Sequence, residues 1–115
     1  MIAHVVFFKP RADLSTEARQ QLAATFDTAL RQIPSIRRAR VGRRIRHGRG
    51  YEALMTVDYP YAAVLEFDDA AGLKAYLEHP AHQQLGAKFF EMFEQALVYD
   101  FDLADGTGAL AEITP

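Results

Sequence analysis

The strands of this sequence are apolar on both faces, and the chain has too few helices to cover them all. Residues 2–9 alternate so that Ile2, His4, Val6 and Phe8 share one face while Ala3, Val5 and Phe7 share the other. Residues 59–67 do the same, with Tyr61, Ala63, Leu65 and Phe67 against Ala62, Val64 and Glu66, and Pro60 at the start where no ladder donor is needed. Residues 96–102 set Leu97, Tyr99 and Phe101 on one side. A further strand is predicted over 36–46, with Gly42 marking a bulge. Residues 47–58 open on a flexible His47-Gly48-Arg49-Gly50 turn and continue as a helical turn or an inserted loop.

Helical spacing is equally plain. Ala18, Leu22, Phe26, Ala29, Leu30 and Ile33 recur every three or four residues, behind an N-cap at Ser15 and ahead of a stop at Pro34. Asp68 or Asp69 caps a second helix bearing Leu73, Tyr76 and Leu77. Pro80 suits the first turn of a third, whose stripe is Leu85, Phe89, Met92 and Phe93. The order strand–helix–strand–strand–helix–helix–strand predicts an α+β domain of the ferredoxin-like, split βαβ type: a four-stranded antiparallel sheet with helices on one face. The other face is left bare and apolar, so a homodimer with two sheets facing one another is expected. The domain is expected to span residues 1–103, and residues 104–115 to form a poorly ordered tail.

The bulk properties fit one soluble domain. There are 115 residues, half of them apolar, and no cysteine, which excludes disulfides, thiolate metal sites and cysteine nucleophiles. The N-terminus lacks the pattern of a signal peptide and no apolar run could span a bilayer, so a cytoplasmic protein with no membrane partner is expected. The charge is split. Residues 1–50 hold 11 of the 13 Lys and Arg and three acids, a net +8, whereas residues 51–115 carry a net −10. Seven of those cations lie at Arg37, Arg38, Arg40, Arg43, Arg44, Arg46 and Arg49. Tyr51 is the only aromatic beside them and the element order matches no nucleic-acid module, so no nucleic acid is expected. The run reads instead as a solvated face attracted to the acidic half of the chain or of a partner, or as a lure for an anionic substrate.

The candidate chemistry rests on histidine. His82 falls on the first turn of the third helix, whose positive end favours a neutral imidazole able to take a proton α to a carbonyl. Its bland alternative is a half-buried structural histidine. His79 reads as a cap of the second helix, and His4 as a strand residue among apolar neighbours. No spacing supports a metal site, Gly48-x-Gly50 is no phosphate loop, and no cofactor is expected.

With this order and the run His79-Pro80-Ala81-His82-Gln83, the chain resembles the stress-responsive dimeric α/β-barrel (Dabb) family over residues 2–102. The resemblance is carried also by His4-Val5-Val6-Phe7-Phe8-Lys9, Ile33-Pro34, Leu65-Glu66-Phe67, Tyr76-Leu77-Glu78 and Val98-Tyr99-Asp100-Phe101. Antibiotic-biosynthesis monooxygenase-like and muconolactone isomerase-like dimers usually lack the HPxH run. The resemblance implies a homodimeric barrel with a pocket in each subunit between sheet and helices, lined here by Val6, Phe8, Phe26, His79, Leu85 and Phe89. A plant branch of the family cyclises linear polyketides by aldol condensation. Its catalytic roles would fall on His82 as base, Tyr76 as the base's support and His4 nearby. Where that branch has a tyrosine on the first helix, this chain has Phe26, and residues 47–58 are longer than that branch's loop. Two functions follow as expectations: a cofactor-independent enzyme acting on a carbonyl or polyketide-like compound, or a non-catalytic homodimeric stress-response or small-molecule-binding module.

Overall fold

Alternating apolar residues in the first strand dictate a sheet with one face under helices, and the computed structural model, which describes residues 1–113, shows it. Strand β1 (Ile2–Pro10) leads to helix α1 (Thr16–Gln32), then to strands β2 (Arg38–Arg43) and β3 (Tyr61–Phe67). Helices α2 (Ala70–Glu78) and α3 (Pro80–Met92) follow, and α3 runs directly into strand β4 (Phe93–Asp102). Two 3-10 helices, Gly50–Leu54 and Gly108–Ile113, lie in the β2–β3 connection and after β4. The sheet is wholly antiparallel, in the order β2-β3-β1-β4.

The caps are those the sequence asks for. Ser15 Oγ accepts from the Ala18 N–H and Asp69 Oδ1 from the Gly72 N–H. His79 serves twice: its backbone N–H closes α2 onto Tyr76, and its Nδ1 accepts from the Ala81 N–H to open α3. One residue therefore makes the sharp bend that lets Pro80 start a new helix at once.

Several edges differ from expectation. β2 is shorter than 36–46: beyond Arg43 the Arg44 N–H still bonds to the Pro60 carbonyl at 2.9 Å, and the side chains of Arg44 and Arg46 pair with Asp58 in the connection that follows. β3 begins at Tyr61, so Pro60 stands outside it, and β4 begins three residues early at Phe93. Gly42 marks no bulge, for the β2–β3 register runs unbroken from Arg38 to Arg43. The irregularity falls at Lys9/Pro10 of β1, where proline has no N–H to give. Within the tail expected over 104–115, Gly108–Ile113 form a 3-10 turn; Thr114 and Pro115 lie outside the described residues.

The core lies between the central strands and the helices. Phe67, Leu65, Leu85, Ala29 and Ile33 are buried together, and Val6, Phe8 and Ala63 form a second group. Phe8 is packed among Phe26, Tyr61 and Phe93, with ring centroids 5.0–5.5 Å apart. The two edge strands are different. Every residue of β2, and every residue of β4 after Phe93, is exposed. Leu97, Val98, Tyr99 and Phe101 stand 39–52% open to solvent.

Candidate active site

The site begins with a register. In the β1–β4 ladder His4 lies directly opposite Asp100, so both side chains point to the helix side of the sheet. His4 is buried, and its Nδ1 is 2.6 Å from Asp100 Oδ1. A carboxylate can only accept, so Nδ1 carries the proton and the pair is a charge-assisted bond. Asp100 remains part open at the sheet edge.

Tyr76, on the last turns of α2, is set edge-on to the His4 ring at a centroid distance of 5.5 Å. His82, six residues later, packs edge-on against the same tyrosine at a centroid distance of 4.6 Å. The His79-Pro80 bend makes this possible. His4 and His82 thus both pack on Tyr76. His79 caps helices and does not join this group.

The protonation states follow from the contacts. His82 Nδ1 donates to the Leu77 carbonyl at 3.1 Å, which leaves the Nε2 lone pair as the basic site of the neutral ring. Burial holds the His82 pKa below its ordinary 6.5; the Leu77 carbonyl pulls it up in part, and the nearby His4 adds to the lowering. The Tyr76 phenol is pushed up to about 12, first by burial and then by the negative charge of Asp100. It is a firm donor at neutral pH, with no hydrogen-bond partner among the described residues.

The expected pocket residues mostly pack against one another. Val6, Phe8 and Leu85 are buried, and Phe26 and Phe89 stack around Phe8. A cleft of about 430 Å³ opens between α1 and the sheet, walled by Phe8, Phe26, Leu22, Leu30, Val41 and Tyr61. A larger one of about 830 Å³ lies on the bare sheet face, under the 45–59 loop. His4, Tyr76 and His82 line neither. No group of three or more His, Cys, Asp or Glu among the described residues could hold a metal ion. No helix among them is long and apolar enough to cross a membrane.

Asp100 is the site residue that sequence reasoning missed. β4 carries both Asp100 and Asp102 on the side opposite Leu97, Tyr99 and Phe101, and only the strand register tells which of them faces His4. The basic run resolves into exposed ion pairs within the chain, Arg37–Asp68, Arg40–Glu66, Arg44–Asp58 and Arg46–Asp58. Each contributes about 0–1 kcal/mol at such a surface.

The sequence pattern of the family described as "Stress responsive A/B Barrel Domain" (Dabb) matches residues 2–103. The chain belongs to the Dabb family. No curated protein sequence matches it. Among solved structures, the hydroxynitrile lyase of Passiflora edulis is similar, with a TM-score of 0.74 and 18% identity over 92% of this chain and 95% of that one. A dimeric protein of unknown function and ferredoxin-like fold from Bacteroides fragilis shares 26% identity at a TM-score of 0.63, over 89% and 95%. SnoaB of Streptomyces nogalater, a cofactor-independent oxygenase, gives 14% at 0.64, over 93% and 95%. These likenesses fit the Dabb architecture of one four-stranded sheet under three helices.

Proposed function

We propose that this Dabb protein is a homodimeric, cofactor-independent enzyme that removes a proton α to a carbonyl, with His82 as base. The observation that carries it is the His82 imidazole: Nδ1–H bonded to Leu77, Nε2 unprotonated, its ring against a tyrosine that stays protonated. In the step, the substrate C–H bond breaks and its proton moves to His82 Nε2. The electron pair left on carbon delocalises onto the carbonyl oxygen, which Tyr76 O–H stabilises as a hydrogen-bond donor. Leu77's carbonyl favours the imidazolium so formed. The enolate carbon then attacks a second carbonyl of the same molecule, closing a ring as that carbonyl's π pair becomes an alkoxide that takes the proton back from His82, or is itself reprotonated by His82. Similar structures named a hydroxynitrile lyase and a cofactor-independent oxygenase support an enzymatic role on this fold.

The dimer is part of the reading. A compact monomer of 12.9 kDa exposes roughly 6300 Å² and has a radius of gyration near 13 Å. This chain exposes 8217 Å² and has a radius of 15.9 Å. The excess of roughly 1900 Å² per copy is in the range of obligate homodimer interfaces, and the open apolar strands supply it.

A second reading, a non-catalytic binding module, is favoured by two observations: Phe26 has no hydroxyl, and its cleft is not lined by the histidines. Deuterium exchange separates the two. Wild-type protein is expected to speed exchange at the α-carbon of one or more members of a 1,3-diketone panel in D₂O, and His82→Gln to abolish the effect. No acceleration across the panel, or equal acceleration by His82→Gln, refutes the enzyme reading.

A further inference from the structure

Helix α1 packs along α3 and leaves a gap over β2, the outer strand of the sheet. The gap is the cleft of about 430 Å³, a volume in the range of small-molecule sites. Leu22, Phe26 and Leu30, at helical spacing, form one wall, and Phe8, Val41 and Tyr61 on the strands form the other. Phe26 and Leu30 are only partly buried, and Val41 is 52% exposed. The cleft opens on the helix side of the sheet, so a partner's sheet laid on the bare face leaves it free.

Its charges do not balance. Asp27 lines the cleft but is already paired with Arg31, at 2.7 Å. Arg19, one turn before Leu22 and Ala23 on the same helix face, also lines it and has no carboxylate within ion-pair distance among the described residues. Arg43 shares the helix side of β2 with Val41 and lies directly opposite Tyr61 in the ladder; it too has no such carboxylate among the described residues. The Tyr61 hydroxyl has no hydrogen-bond partner among them either. Apolar walls thus meet two uncompensated cations and a free hydroxyl. Such a slot suits an occupant that is apolar along most of its length and ends in an anionic acceptor.

We propose that this cleft binds a single-chain carboxylate, its tail between α1 and the strands and its head held by Arg19 and Arg43. A guanidinium can give a carboxylate two parallel N–H···O bonds, which favours this head over a hydroxyl or an ammonium. The Tyr61 O–H is a further donor in the lining. The inference names the ligand class for the cleft on which the second reading above turns. It draws on no part of the His82 chemistry, so it stands whether or not the protein removes α-protons.

Isothermal titration with sodium hexanoate, octanoate and decanoate, at a pH where the carboxylate is ionised and below micelle-forming concentrations, tests it. One site per chain is expected, with affinity rising about fourfold per added methylene until the cleft is full. Octanoate is expected to bind about tenfold tighter than 1-octanol or octyltrimethylammonium. Arg19→Gln with Arg43→Gln should bring octanoate down to the level of 1-octanol and leave 1-octanol unchanged. Ala23→Trp, at an exposed position lining the cleft, should abolish binding while circular dichroism matches wild type; Val41→Trp, on the exposed edge strand, serves as a second plug. His82→Gln should bind octanoate as wild type does, so failure of the enzyme reading and failure of this site are read separately. No saturable binding overturns the proposal. So does 1-octanol binding within about threefold of octanoate, or octanoate affinity unchanged in the double arginine variant, either of which leaves an apolar cleft without anion recognition. Binding that survives both folded plugs places the ligand elsewhere and overturns it as well.

Discussion

Phe101→Ser tests the seam where the protomer has least to lose. Phe101 lies on β4 with its ring half exposed and only Tyr99 as an aromatic neighbour, at 6.4 Å. A phenylalanine that becomes fully buried hides about 150–250 Å², so closing the exposed half removes about 100 Å² from water. At about 25 cal/mol per Å² this is about 2.5 kcal/mol per copy, and the two-fold axis doubles it to about 5 kcal/mol per dimer. The dissociation constant should rise by a factor of roughly 10³ to 10⁴. Sedimentation equilibrium over a dilution series reads this directly, with circular dichroism to show that each copy remains folded. A shift of less than about tenfold in a folded protein would refute the placement of Phe101 at the seam. So would a wild type that stays monomeric at high micromolar concentration.

Other consequences are as specific. Tyr76→Phe removes the oxyanion donor while keeping the ring against His4 and His82, so α-carbon exchange should slow by about 10²–10³-fold with little change in unfolding free energy; an unchanged rate would deny the hydroxyl its role. Because folding lowers the His82 pKa, the unfolded chain binds more protons below about pH 6.5. The stability linked to His82 is therefore full above that pH and declines as pH falls toward the folded-state value. Urea unfolding at several pH values should show this decline in wild type and a shallower one in His82→Gln; identical slopes would contradict it. Phe67→Ala, at a side chain with no exposure, should cost about 3–5 kcal/mol, checked by the same unfolding assay.

Much of this architecture is legible because it depends on local signals. Ser15, Asp69, Pro34 and Pro80 set helix ends through side-chain and ring chemistry that acts within a few residues. The two-faced apolar pattern of β1 and β3 announces a buried sheet, and the exposure of β2 and β4 shows which strands its partner must meet. The Gly42 bulge was misplaced because glycine permits a bulge without requiring one, whereas Pro10 cannot complete a ladder. Tyr76 and His82 could be placed together only through the His79-Pro80 bend, a local feature. Asp100 could not, since its role depends on lying opposite His4 across a 96-residue separation, and register is a tertiary property. The fate of Arg37, Arg40, Arg44 and Arg46 was hidden for the same reason: each finds its carboxylate on a different segment.

The central claim is that a neutral His82 takes the substrate proton. The pH dependence of kcat/KM for α-carbon exchange on a responsive 1,3-diketone tests it most directly, with the His82 titration followed in parallel by NMR. The rate should rise with pH to a plateau, with its inflection below 6.5 and coincident with the His82 titration. A rate that climbs in proportion to hydroxide without an inflection, or that inflects where His82 does not titrate, would contradict it.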